Sequence, residues 1–157
     1  VSDAVEREET GEVPPPRRPR HPVGTLRLAL GGYVAVNALF GVPLLLAPVG
    51  SLRAIGVPPG VAAGLGGLRW VGAMLVAWGI SGLLVLARPV GRAFFVTASA
   101  LQMTFAAGAF LSSWGAGDGI GAVWFQTLGS VLLFGSALSL WWARLRVRGL
   151  LGPAGPE

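Results

Sequence analysis

Between residues 28 and 143 charge occurs only at positions 53, 69, 88, 92 and 118, leaving four long uncharged stretches at 28–52, 70–87, 93–117 and 119–143. They count 25, 18, 25 and 25 residues. A helix rising about 1.5 Å per residue needs about 20 apolar residues to cross a hydrocarbon layer about 30 Å thick. The pattern predicts an all-α integral membrane protein, a four-helix bundle with spans at about 26–48, 66–87, 93–113 and 120–143. The transmembrane domain would occupy residues 24–148, between a tail at 1–23 and a short C-terminal tail at 149–157.

The connections differ in kind. Arg88-Pro89-Val90-Gly91-Arg92 is a short break that should make spans 2 and 3 antiparallel neighbours, and residues 112–119 form a glycine-rich turn between spans 3 and 4. Pro48, Gly50, Pro58, Pro59 and Gly60 punctuate the segment between spans 1 and 2. A short interfacial helix around Ser51 to Ile55 is expected there, followed by an early start of span 2, with a re-entrant dip as the alternative.

Before the first span, an acidic piece with Asp3, Glu6, Glu8, Glu9 and Glu12 gives way to Pro14-Pro15-Pro16-Arg17-Arg18-Pro19-Arg20-His21-Pro22. So little apolar surface and so much proline predict a disordered, extended tail, or else a docking arm for a partner or anionic lipid. The run that follows is longer than the apolar core of a secretory signal and lacks a small-residue cleavage site, so the first span should be retained.

Hydrophobic residues make up 53% and charged residues 12% of the chain, far from soluble composition. All twelve basic residues are arginine, which amid abundant Ala, Gly and Pro suggests a GC-rich bacterial source. Ten of the twelve fall before span 1, between spans 2 and 3, or after span 4, leaving Arg53 and Arg69 on the other side. Positive residues favour the cytoplasm, so both termini should be cytoplasmic in a bacterial plasma membrane. Topology accounts for the basic charge, and no nucleic acid is expected as a partner. Trp70, Trp114, Trp124, Trp141 and Trp142 fall near span ends, where interfacial anchors sit, whereas Trp78 is mid-span.

Lipid tails are as apolar as leucine, so spans associate through close packing of small residues and a few hydrogen bonds. Ala73, Ala77 and Ser81 in span 2, Ala100, Thr104, Gly108 and Ser112 in span 3, and Gly135 and Ser139 in span 4 are expected to face neighbouring helices, or else a homo-oligomer seam. The polar side chains that need partners in hydrocarbon are Tyr33, Asn37, Gln102 and Gln126. Asn37 and Gln102 each lie nine positions from the same end of their runs, at matching heights, so they are expected to face the interior and to bond one another. They serve either as packing glue or as a ligand-contacting pair.

Arg69 is the first candidate for chemistry. Were span 2 to begin near Val61, Arg69 would lie below the interface, where a cation needs a partner. Asp118, the one acid outside the tails, or an anionic headgroup could supply it, and simple snorkelling of the guanidinium is the plain alternative. The remaining classes are pruned by residue type. No Asp, Glu or His lies within a span, as proton coupling generally requires, and the single histidine, His21, lies in the tail. The chain has no cysteine, so it offers no thiol chemistry and no thiolate metal site. No phosphate loop, zinc-helix motif or serine elbow occurs.

Leu26-Arg27-Leu28-Ala29-Leu30-Gly31 at the entry to span 1 and Leu68-Arg69-Trp70-Val71-Gly72-Ala73 at the entry to span 2 resemble the small four-span bacterial DoxX-like families. The resemblance covers residues 25–143 loosely and implies an accessory role beside an oxidoreductase that communicates with quinone, with Arg69 the one position carried over. Any redox cofactor would then belong to a partner.

The expectation is therefore a non-catalytic, multi-pass accessory or scaffold protein with no cofactor of its own, able to take lipid or a hydrophobic small molecule between its helices. Its partners would be the bilayer, a membrane or cytoplasmic protein, or further copies of itself. The alternatives are a membrane subunit of a quinone-linked system and a small oligomeric transporter or channel.

Overall fold

A computed structural model of the 157-residue chain describes residues 22–58, 64–88, 91–117, 119 and 121–147. The two tails and Asp118 lie outside the described residues. Those described form five helices and no strand: α1 (Pro22–Leu46), α2 (Pro48–Ala54), α3 (Leu65–Ala87), α4 (Ala93–Ala116) and α5 (Val123–Arg146). All but α2 are long and apolar enough to cross a membrane, so the chain is built as a multi-pass helical membrane protein.

The spans keep close to their predicted places. Helix α1 starts at Pro22, whose fixed φ and missing N–H suit a first helical turn. It runs on through Pro43 to Leu46. Helix α4 ends in an αL glycine, Gly117, whose N–H reaches back to the Ser113 and Trp114 carbonyls. Between α1 and α3 the chain does form the short helix α2, starting on a proline. Helix α3 is described from Leu65, on Gly64, and the early start of span 2 near Val61 falls on residues outside the described ones.

Packing order is α3, α1, α5, α4: α1 lies between α3 and α5, and α5 packs on α4. Spans 2 and 3, expected as antiparallel neighbours across their short loop, are in contact but approach less closely than these pairs. Helices α3 and α4 meet instead through long side chains, with the Trp78 and Phe95 rings 5.9 Å apart. A short loop limits how far apart two helix ends can be, whereas backbone approach depends on which faces carry glycine.

That glycine face is specific. A Cβ on Gly72 would lie 2.5 Å from the Leu45 nitrogen and 2.8 Å from the Gly41 carbonyl oxygen, and one on Gly41 would lie 3.1 Å from the Gly72 oxygen. Helices α1 and α3 thus touch backbone to backbone, the approach that small residues permit between membrane helices. Lower on α3, Gly79 sits against Asn37, and a Cβ on Gly82 would lie 2.8 Å from Val34 and 3.2 Å from the Tyr33 ring. The buried stripe on α3 is therefore Gly72, Gly79 and Gly82, while Ala73 and Ala77 are exposed and Ser81 is half-buried. Of the stripe expected on α4 only Ala100 is buried, beside Val96, Ser99, Met103 and Ala107, and Gly135 on α5 is exposed.

Most hydroxyls are satisfied within their own helix. Ser81, Thr97, Thr104, Thr127 and Ser130 each donate to the carbonyl four residues earlier, so they make no demand on neighbouring helices. Three side-chain hydrogen bonds join one long helix to another among the described residues: Tyr33 to Gln102, Trp141 to Thr104, and Arg144 Nε to Thr97 Oγ1. The bundle half at which the termini emerge is tightly filled. Leu30, Tyr33, Val96, Leu140 and Ala143 are 0% exposed there, with Leu26 and Val147 beside them. Trp70, Trp114, Trp124 and Trp142 remain exposed near helix ends, and the Arg146 guanidinium lies 4.0 Å over the Trp142 ring.

Candidate functional site

Two features stand out, a polar cluster inside the bundle and an apolar groove at the end where α2 lies. The cluster is built on Tyr33, one turn before Asn37 on α1. Its phenol is long enough to cross to α4, where the hydroxyl donates to Gln102 Oε1 at 2.6 Å. The Tyr33 ring also meets Phe95 edge-on, centroids 6.3 Å apart. Asn37 turns back on its own helix, its amide donating to the Tyr33 carbonyl at 2.9 Å. Asn37 Oδ1 and Ser99 Oγ are buried without a hydrogen-bond partner among the described residues.

Asn37 and Gln102 therefore belong to one interior cluster, but Tyr33 is the residue that bonds Gln102. Asn37 has a shorter side chain, and its amide is engaged by the carbonyl one turn back on its own helix. Gln126 is elsewhere, at the first turn of α5, where its amide donates to the Gly121 carbonyl at 3.0 Å. It braces a tight turn in which Gly121 has φ +88° and a Cβ would lie 2.8 Å from the Ile55 oxygen. The next residue's N–H, that of Ala122, donates to that same Ile55 oxygen at 2.7 Å, which pins the end of α2 to the start of α5. Arg69 is exposed in the early part of α3, because the helix begins four residues before it. The pairing of Arg69 with Asp118 falls outside the described residues.

The groove escaped the sequence reading. It is enclosed by α1, α2 and α5, and its volume is about 250 Å³. Phe40 and Pro43 of α1, Ile55 just after α2, and Phe125, Leu128 and Gly129 of α5 form its wall, and Ser51 is the one hydroxyl-bearing residue there. Phe125 is the hub, with Phe40, Phe110 and Trp124 rings all 5.9–6.0 Å away at steep angles. Gly129 makes the hub possible, since a Cβ there would lie 2.8 Å from the tip of the Phe110 ring. The short helix α2 forms one side of the groove, its lid, anchored by buried Pro48 at one end and by the Ile55–Ala122 bond at the other.

No set of three or more His, Cys, Asp or Glu residues converges among the described residues. The described region carries Arg27, Arg53, Arg69, Arg88, Arg92, Arg144 and Arg146 and no carboxylate side chain. What the arrangement offers chemically is an apolar volume with one arginine, Arg53, on the short helix that borders it, while five of the other described arginines lie at the opposite end of the bundle. No protein-family model, curated protein or solved structure matches this chain.

Proposed function

We propose that this chain is a non-catalytic accessory protein of the bacterial plasma membrane that holds an apolar chain, from a lipid or a hydrophobic small molecule, in the groove under α2. The observation that carries this reading is the groove itself. Its volume exceeds the roughly 150 Å³ of a dry engineered cavity that takes up benzene. Its wall is almost wholly apolar, and it lies between helices whose surroundings are hydrocarbon, so lipid tails are the medium that meets its opening.

Extraction of the full chain in native membrane discs, followed by native mass spectrometry, tests the proposal. A bound amphiphile at about one per chain is expected. Ala54→Phe, which pushes a ring from the lid into the groove, should reduce its retention at least about tenfold, while Leu138→Phe on the exposed face of α5 should leave it unchanged. Equal retention in both variants would refute the groove as the binding place.

The same reading puts α2 on the outer side, since arginine is concentrated at the opposite end. The chain has no native cysteine, so single-cysteine labelling reads the topology directly. Gly50→Cys, at an exposed position where an added Cβ would meet only Ala47 Cβ at 3.9 Å, should react with an impermeant maleimide in intact cells, and Arg146→Cys only after lysis. The reverse pattern would invert the orientation.

A further inference from the structure

The groove reading leaves the polar end of its occupant unassigned, and α2 supplies a candidate. Ser51, Ala54 and Ile55 line the groove, and Arg53, between Ser51 and Ala54 in sequence, is exposed in the last turn of the same helix. One short helix thus borders an apolar recess of about 250 Å³ and carries a guanidinium beside it. The geometry points to an anionic phospholipid as the occupant, one acyl chain lying under α2 and the phosphate region held by Arg53 at the edge of the lid.

Two points favour this lipid class over a neutral one. Guanidinium groups bind phosphate through charge-assisted, frequently bidentate hydrogen bonds, which a zwitterionic headgroup screens with its own ammonium. The lid is also fixed in place, because the Ile55–Ala122 bond and the Gly121 turn hold its end against α5, so Arg53 keeps a constant height above the groove. The proposal rests on the groove reading above, and its test separates the two.

The full chain would be reconstituted in discs of equal phosphatidylglycerol and phosphatidylcholine, re-extracted, and analysed for retained lipid by native mass spectrometry. Wild type should retain phosphatidylglycerol over phosphatidylcholine by about fivefold, the ratio that about 1 kcal/mol per basic residue at an anionic surface corresponds to. Arg53→Gln should keep one lipid per chain but lose the preference, and Arg53→Lys should keep most of it, which also controls for folding. Ala54→Phe should lose both lipids. Equal retention of the two lipids by wild type, or an unchanged preference in Arg53→Gln, overturns the Arg53 assignment and leaves the groove reading standing. Retention of neither lipid by wild type overturns both.

Discussion

Gly72→Val should separate α1 from α3 and destabilise the bundle by roughly 3 kcal/mol or more, at the upper end of what overpacking a core costs. The magnitude follows from what the added carbon would meet. Its neighbours are the Leu45 nitrogen and the Gly41 oxygen, backbone atoms at 2.5 and 2.8 Å that cannot rotate aside as a side chain could. Relief requires moving a whole helix, and α1 is the helix against which both α3 and α5 pack. Gly108→Ala is the matched control, since nothing lies within 4 Å of a Cβ at that position. Exchange of helical glycine for alanine there should be neutral or stabilising by up to about 1 kcal/mol. Unfolding titrations of both variants in mixed micelles check the pair of outcomes. A Gly72→Val protein as stable as Gly108→Ala would mean that the α1–α3 crossing is looser than these distances.

Tyr33→Phe should destabilise the bundle by about 1–2 kcal/mol, because it deprives the part-buried Gln102 Oε1 of a 2.6 Å donor. Interhelical hydrogen bonds in membranes couple by about 0.6 kcal/mol on average and about 1.7 at most, so a double-mutant cycle with Gln102→Leu should return a coupling within that span. Asn37→Leu should behave differently although Asn37 is just as buried. Its amide bonds its own helix and its Oδ1 has no partner, so an apolar residue of similar size removes a desolvation cost. The expected change is near zero or stabilising. A large loss on Asn37→Leu together with zero Tyr33–Gln102 coupling would transfer the structural role from Tyr33 to Asn37.

These residues also mark how far the chain could be read without its structure. The four spans were legible because hydrocarbon imposes a length and composition that few other environments require, and the observed helices keep close to the predicted ranges. Facing was not legible. In water an apolar stripe identifies the buried side, but in lipid both sides of a helix are apolar, and the remaining signal is residue size. With 25 glycines in the chain, that signal has many solutions, and at about 100° per residue the stripe Ala73–Ala77–Ser81 points to roughly the opposite side of α3 from the true glycine face. Height along the membrane could be counted, so Asn37 and Gln102 were placed in the same layer. The identity of the bonding partner depended on side-chain reach, which favoured the phenol of Tyr33. The groove was least accessible of all. Phe40, Phe125 and Leu128 look the same in sequence whether they face lipid or line a recess, and the recess exists only where α1, α2 and α5 meet.

The filled half of the bundle has a consequence for permeation. With Leu30, Tyr33, Val96, Leu140 and Ala143 all sealed from solvent across its section, a lone copy has a stopper where a conduit would have to run. On the proposed function, whatever enters beneath α2 would leave by the way it came, sideways into the leaflet that delivered it. An isolated molecule would then serve as a berth for membrane constituents and leave the ionic gradients on either side of it undisturbed.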